Sequence, residues 1–321
     1  MADLVTLAIP IYKRLDFLPS VLRIVGLQDY PNIELIVSDN GMNGANVPAI
    51  VNEYYSGKFR FRQNPVTASM STHFNQIINA ASGKYFMILC DDDEISSNYV
   101  SELVAHLERN PQASIALSKQ EIIDESGATI RRSSDNLPSL LTGPEFIKAA
   151  WHTYSYRFEG FATFLARTED LKACGGYPEF HKGHSHDDAL VVKLCLDNYV
   201  ALSSECTFRF RVYESSHGLS ISIQDVAEAT RDFLRFLNSD PRIQQFAAAQ
   251  PVEWQELKQI VGRMNWECYY NRWKGIYRKR LTTSEWLKAA FALPFIPAYY
   301  TNVACTLARA FYEACIMAPP Q

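Results

Sequence analysis

Several absences narrow the field before any motif is read. The seven cysteines form no CxxC pair, and their number is odd. That usage argues for reduced thiols and a cytoplasmic setting, not a disulfide framework. Positive charge is not in excess: the formal net charge is −4, which leaves no overall basic footprint for nucleic acid. The opening MADLVTLAIPIYKR lacks a basic segment ahead of its apolar residues. Those residues are also too few for export or for spanning a bilayer, so the stretch reads as a first strand. No GxGxxG follows that strand and no GxxxxGK[ST] occurs, which removes the usual dinucleotide and P-loop ways of holding phosphate. A diphosphate bound here needs a metal for much of its charge neutralisation. Internal repeats and low-complexity tracts are missing as well.

What is present is an ordinary globular composition, 47% hydrophobic and 21% charged over 321 residues. That length suits one large domain, or one domain with a smaller companion. The rest of the chain is organised around GKYFMILCDDDE, residues 83–94. Residues 85–90 are an unbroken apolar run, the pattern of a strand buried on both faces. It stops at Asp91, Asp92 and Asp93, followed by Glu94. Like charges crowded at one strand end raise one another's pKa. Hard oxygen ligands grouped this way suit Mg2+ or Mn2+. A solvated acidic turn that caps the next helix is the plainer reading. In an open α/β sheet, however, ligands gather just beyond the carboxyl ends of strands, where these acids lie.

The first half alternates strands and helices. Strands are expected at 4–9, 33–37, 58–62 and 85–90, with helices at 18–27, 47–55 and 73–81. The first strand ends at Pro10 and Tyr12-Lys13-Arg14, the second at Ser38-Asp39-Asn40-Gly41. Such alternation implies right-handed βαβ crossovers and a mostly parallel, Rossmann-type sheet flanked by helices. Asp39 and Asp91 then open onto one crevice.

The string VTLAIPIYKRLDFLPSVLRIVGLQDYPNIELIVSDNG resembles the opening of family 2 glycosyltransferases of the GT-A fold. Those enzymes begin with an apolar strand, a Pro-x-Tyr turn, a helix, a Q-x-Y-x-N-x-E linker and a strand ending in an acidic pair. Asn75, Ala81, Gly83 and Tyr85 fall where that family has its N…A-x-G-x-Y segment before a DxD motif. The resemblance implies a GT-A fold and an inverting transfer from a nucleotide-sugar donor, a UDP-sugar as first guess. It implies that Asp39 holds the base, Asp91 contacts ribose or sugar, and Asp93 is the metal ligand. Pro10, Tyr12, Arg14, Asn40, Asn75 and Asp92 join the donor-binding candidates. Two departures stand out: Asn40 replaces the usual second acid, and Phe74 sits where arginine is common.

In the second half a helix is expected at 100–107 and a strand at 114–118. Residues 121–139 read as an exposed polar excursion, and 161–167 return to strand character. Gly175-Gly176 after a helix end permits a left-handed turn, and it matches the family's L-x-x-x-G-G-[FY] step. His186-Asp187-Asp188 follows, with Leu190 and Lys193 in register with the family's E-D-x-x-L-x-x-R-L. That register puts Asp187 on the catalytic base and His186 in the glutamate's place, with Asp188 as the neighbouring alternative. An acid at a helix N-terminus is held ionised by backbone N–H groups and the macrodipole, and an ionised carboxylate beside a hydroxyl accepts its proton. Simple capping of the helix at 189–196 is the compatible structural role. His181, His184 and His186 with Asp187 also have zinc-ligand chemistry, without an organising HExxH. Residues 208–213 read as a strand. Enzymes of the resembled family carry a His or Arg near here that reaches metal or diphosphate, which singles out Arg211 and His217.

Beyond residue 222 the pattern is helical, expected at 226–237 and 252–273. Arg272, Lys274, Arg278, Lys279 and Arg280 interleave with Trp273 and Tyr277, ahead of a mostly apolar stretch broken by Pro294 and Pro297. This combination suits docking on an anionic membrane surface, at the inner face of the plasma membrane, or contact with the catalytic domain or a second subunit. The chain thus divides into residues 1–222, with a nucleotide-sugar half to about 118 and an acceptor half from 119, and a helical region 223–321. The expected activity is metal-dependent sugar transfer to a glycan or lipid-linked hydroxyl in bacterial surface polysaccharide assembly. The rivals are a binding or scaffold protein that has lost turnover and a sugar nucleotidyltransferase. The latter requires a Gly-rich basic loop that residues 10–14 do not provide.

Overall fold

The structure is a computed structural model. It describes residues 2–277 apart from 154, 157, 159–160, 214–215 and 217–220, with 223 and 266–277 as backbone path alone. In chain order the elements are β1 (Val5–Ile11), α1 (Leu18–Gly26), β2 (Ile33–Asp39), α2 (Asn46–Tyr54), β3 (Phe59–Gln63), α3 (Met70–Ala80), β4 (Tyr85–Ile88), β5 (Glu94–Ile95) and α4 (Tyr99–Arg109). Then come β6 (Ala113–Ile123), β7 (Thr129–Arg132), β8 (Leu140–Thr142), α5 (Gly143–Trp151), β9 (Leu165–Arg167), α6 (Thr168–Ala173), α7 (His186–Cys195) and β10 (Tyr199–Arg211). Three helices close the described chain: α8 (Ile223–Ser239), α9 (Pro241–Ala249) and α10 (Pro251–Tyr277).

One sheet runs in the order β3-β2-β1-β4-β9-β6-β10-β5, with β7 on β6 and β8 on β10. Strands β3, β2, β1 and β4 are parallel neighbours, so their carboxyl ends share one edge. β1 and β4 are buried along their full length, as continuous apolar runs demand when helices cover both faces. Past β4 the sheet turns mixed: β9 is antiparallel to both β4 and β6, while β10 runs parallel to β6. The mostly parallel sheet expected from the sequence is present, wholly parallel in the first half and with antiparallel inserts in the second.

Several elements differ from the sequence expectation. β6 reaches Ile123 and forms a hairpin with β7, so part of the supposed excursion is paired sheet. The hairpin turns at Gly127, φ 88°, where Asp124 Oδ1 accepts the Ser126 and Ala128 N–H groups. Helix α5 was not expected, although Thr142 and Glu145 cap it reciprocally and Pro144 opens it. α9 replaces an expected break: Asp240 accepts the Arg242 and Ile243 N–H groups, and Pro241 begins the helix.

The helices α8 to α10 share a core with the sheet. Phe180, ahead of α7, packs edge-on against Phe233 and Phe236 of α8, with ring centroids 5.7 Å away in each case. Phe246, Trp254, Leu257 and Val261 join the same buried cluster as Leu190 and Phe146. The boundary at 222 is thus a change of element type within continuous packing. No helix among the described residues is long and apolar enough to cross a membrane. The basic-aromatic run and the apolar stretch after it lie outside the described side chains, as does His217.

Candidate active site

The acidic strand end sits where the sheet stops being parallel. β4 ends at Ile88, Cys90 is half-buried, and the chain turns through Asp91 and Asp92 into β5, which pairs with β10. Asp93 is 0% exposed. Its Oδ1 accepts the Arg211 backbone N–H at 2.9 Å, whereas its Oδ2 is buried with no hydrogen-bond partner. Burial, Asp92 and Asp91 together push the Asp93 carboxyl well above the usual carboxylate range. Burial and Asp92 raise Asp91 to about 8. An enclosed carboxylate with one idle oxygen, among like charges, fits a hard divalent cation. No group of three His, Cys, Asp or Glu side chains is arranged to hold a metal among the described residues.

The second acidic site belongs to the same neighbourhood. Burial raises the Cys90 thiol, and Asp93, Asp92, Asp91 and Asp187 add to the effect, in that order. The thiol thus lies within the field of both acidic motifs, which are separated by some ninety residues of chain. Asp187 and Asp188 occupy the first turn of α7, after Ser185 in a left-handed conformation (φ 60°). Both carboxyls are raised by burial, but differently. Asp187 is restrained by N–H groups of Asp188, Asp187 and Phe161 and by His184. Asp188 is raised well above the usual carboxylate range by burial first and then by Asp187, against the Ser185 hydroxyl.

The aromatic packing behind α7 brings Phe74 and His186, which replace the family's arginine and glutamate, close together. His186 bonds Ser71 Oγ through Nδ1 at 2.8 Å, lies 4.7 Å from the Tyr177 ring and 5.5 Å from the Phe74 ring. His181 faces elsewhere, with Nε2 at 2.6 Å from Asp225 and Nδ1 at 3.2 Å from Glu228. The histidines therefore do not converge on one point.

Several expected donor-binding residues are occupied by the protein itself. Asp39, 0% exposed, accepts Gly41 N–H (2.8 Å), Asn43 N–H (2.7 Å) and Asn43 Nδ2 (2.9 Å). A Cβ at Gly41 would meet the Tyr12 carbonyl oxygen at 1.2 Å, so this tight turn needs glycine. Asn40 donates to Ala68 O and accepts from Asn64 Nδ2 and Ala68 N–H, pinning the loop after β3. Asn75 bonds both Tyr177 N and Tyr177 O at 2.8 Å and so ties α3 to the glycine turn. That turn carries φ 78° at Gly175 and 66° at Gly176, as its sequence required.

Arg211 is buried. Its guanidinium donates to Asp92 O, Asp124 O, Glu125 O and Glu94, an arrangement that builds the acidic turn and leaves little for a diphosphate. Asp92 Oδ2 accepts the Tyr213 hydroxyl at 2.6 Å. Arg14 stacks over Phe17 and Tyr213 and pairs with Asp16 and Glu125. Pro10 is buried in β1 opposite Ser38, and Tyr12 is exposed. Tyr213, Asn43 and Ser71 are contacts the sequence did not single out. Only the aromatic ending of the strand at 208–213 hinted at the first.

Two further spaces lie apart from the acidic turn. One is an apolar gap lined by Phe86, Ile88, Ala162, Phe164, Leu171 and Tyr177, too narrow for a water molecule. The other, about 280 Å³ and open to solvent, is lined by Lys119, Gln120, Glu121, Arg132, Ser133, Asp135 and Thr207. Its charges are largely paired among themselves, Arg132 with Glu121 and Lys119 with Asp135.

Comparison with known proteins adds to this geometry. No curated protein sequence matches the chain. Residues 1–349 of S. aureus TarS in complex with UDP-GlcNAc superpose with a TM-score of 0.66 at 18% identity, covering 90% of this chain and 79% of that one. The same fragment with UDP gives a TM-score of 0.57 at 17% identity, over 76% and 68% of the two chains. Mannosyltransferase PcManGT from Pyrobaculum calidifontis, in complex with GDP-Man and Mn2+, gives 0.52 at 14% identity, over 98% and 82%. These likenesses establish the fold. The family described as "Glycosyl transferase family 2" matches residues 6–175, more than half the chain, from the first strand to the glycine turn. On that match, the chain belongs to the family 2 glycosyltransferases.

Proposed function

We propose that the protein is a metal-dependent, inverting glycosyltransferase that uses a nucleotide-sugar donor. The observation that carries this reading is the idle, enclosed Oδ2 of Asp93 beside Asp91 and Asp92, with Asp187 acting on the same Cys90 thiol. Asp93 would hold a divalent cation, Mn2+ or Mg2+, which would supply Lewis-acid neutralisation of a leaving diphosphate. The complexes of TarS with UDP-GlcNAc and of PcManGT with GDP-Man and Mn2+ support this reading.

The protein's own residues do the rest. Asp187, supported by N–H groups and His184, receives the proton of the acceptor hydroxyl as that oxygen attacks the anomeric carbon. One displacement at that carbon inverts it, and the nucleoside diphosphate leaves. Asp188 lies beside it in the first turn of α7 as the alternative base. Tyr213 and the Arg211 backbone hold Asp92 and Asp93 in place, and Asn75 fixes α3 against the turn leading to α7. The acceptor is a glycan or lipid-linked hydroxyl in surface polysaccharide assembly, and the basic-aromatic segment from residue 272 brings the enzyme to an anionic membrane face. Screening nucleotide sugars for metal-dependent release of nucleoside diphosphate tests the activity. Silence across UDP-, GDP-, ADP- and CDP-sugars with Mn2+ and with Mg2+ would contradict it.

A further inference from the structure

The amino end of α3 holds the chain on both of its sides. Toward β2, His73 Nε2 bonds Ser38 Oγ at 2.9 Å, and Asn40 both donates to Ala68 O and accepts the Ala68 N–H. Toward α7, Asn75 bonds Tyr177 N and O, and the Ser69 and Thr72 hydroxyls donate to Glu179. Between these contacts Ser71 Oγ reaches both Pro178 O and His186 Nδ1, each at 2.8 Å.

A serine hydroxyl has one hydrogen and two lone pairs, and Ser71 gives its hydrogen to Pro178 O. A lone pair of Ser71 therefore meets His186, so Nδ1 of that ring carries the hydrogen of the second bond. The ring is only 4% exposed, with the Tyr177 and Phe74 centroids 4.7 and 5.5 Å away. The entrance of α7 is not fixed in the usual way. Ser185 stands at the cap position, but its side chain accepts no hydrogen bond from the first turn. Its φ of 60° is a conformation that a residue with a side chain keeps only where the surroundings impose it. His186 is the first residue of the helix and Asp187 the second.

We infer that Ser71 and His186 are positioning residues for Asp187: their hydrogen bond fixes the first turn of α7 on α3, and with it the place of the Asp187 carboxyl. Both act through Asp187 and not on the substrate. The inference rests on the reading of Asp187 as the base and goes beyond it in naming what sets that base.

Asparagine and glutamine at position 186 separate positioning from packing. Asn Nδ2 hangs from Cγ, as His Nδ1 does, and can make the same donation to Ser71, whereas the Gln nitrogen lies one bond further out. Glutamine, the larger of the two, fills more of the space beside Tyr177 and Phe74. A packing role thus ranks Gln above Asn in melting temperature and turnover alike, and a positioning role ranks Asn above Gln in turnover. The assay is Mn2+-dependent release of nucleoside diphosphate from UDP-, GDP-, ADP- and CDP-sugars by the full chain. Ser71→Ala and His186→Gln are expected to lower kcat about 10- to 100-fold, the cost of misplacing a reacting group by up to about 1 Å. His186→Asn is expected to stand about tenfold above His186→Gln, with affinity for the nucleoside diphosphate within about twofold of native throughout. The double variant Ser71→Ala/His186→Gln should be no slower than the slower single one, since the two residues act as a unit. NMR of the protein with 15N-labelled histidine reads the ring without turnover, and a protonated His186 Nδ1 is expected. An unprotonated Nδ1, native kcat in Ser71→Ala, or Gln equal to or above Asn in kcat overturns the inference. A slow Asp187→Asn beside a native Ser71→Ala overturns it alone. Native kcat in Asp187→Asn, or no release from any of the four sugar classes by native protein, overturns the reading beneath it as well.

Discussion

Replacing Asp93 by asparagine separates a cation ligand from a structural carboxylate by the state in which its effect shows. The carboxamide keeps the shape and can still accept the Arg211 N–H through Oδ1, which now receives that bond at 2.9 Å. Burial, Asp92 and Asp91 already drive the cation-free Asp93 carboxyl toward its neutral form, so the exchange changes little charge. The cation-free variant is therefore expected to match the native protein in stability within about 1 kcal/mol. With Mn2+ and a nucleoside diphosphate the two proteins part. Native protein at one hundred times the dissociation constant gains about 2.7 kcal/mol. For a chain of this length that is a rise of roughly 5 °C, at about 2 °C per kcal/mol. Should the variant bind a hundredfold more weakly, its gain at the same concentration is about 0.4 kcal/mol. Differential scanning fluorimetry with and without Mn2+ and UDP reads both states. A variant destabilised by more than about 2 kcal/mol without the cation, yet stabilised by it as much as native, would make Asp93 a structural residue.

Other expectations follow from single contacts. His73 is buried, bonds Ser38 Oγ at 2.9 Å and is lowered by burial to about 4. The unfolded chain therefore binds a proton between about 6.5 and 4 that the folded chain refuses, and stability falls by about 3 kcal/mol as pH drops through that window. Chemical denaturation of His73→Gln against native should show a flatter profile there, and identical slopes would reject the assignment. A Cβ at Gly176 would meet Asn75 Oδ1 at 2.2 Å with φ 66°, so Gly176→Ala should lose about 2 to 4 kcal/mol. A loss under 0.5 kcal/mol, roughly the noise of a surface substitution, would show that this turn adapts. Flotation of the full chain with anionic liposomes should weaken as salt rises toward about 0.5 M, where charges are screened within a few ångströms. Indifference to lipid charge would argue against membrane docking.

How far the sequence could be read depends on which forces each feature expresses. The parallel strands were legible because apolar runs buried on both faces have no other stable use, and their ends marked the acids at Asp39 and Asp91. Helix α5 was missed although its Thr142–Glu145 capping box is written in the chain. The gap between the helices expected at 226–237 and 252–273 holds α9, which Pro241 starts behind Asp240. The fate of Asp39 was not legible at all, since its enclosure depends on Asn43 and Gly41 folding back over Tyr12. Arg211 misled for a related reason: strand position was visible, but its carbonyl partners at Asp92, Asp124 and Glu125 come from segments far away in the chain. Phe74 and His186 look like two independent departures from the family pattern, yet their ring centroids lie 5.5 Å apart at a 39° tilt, so one packing contact links them.

The most direct measurement is turnover of whichever nucleotide sugar the protein accepts by native protein and Asp187→Asn, with donor affinity measured alongside. Removing a general base is expected to lower kcat by about 10²- to 10⁴-fold while the dissociation constant of the nucleoside diphosphate stays within about twofold, the change expected when no binding contact is lost. Asp187→Asn with native kcat, or with donor binding abolished, would mean that the two acidic motifs do not serve one transfer reaction.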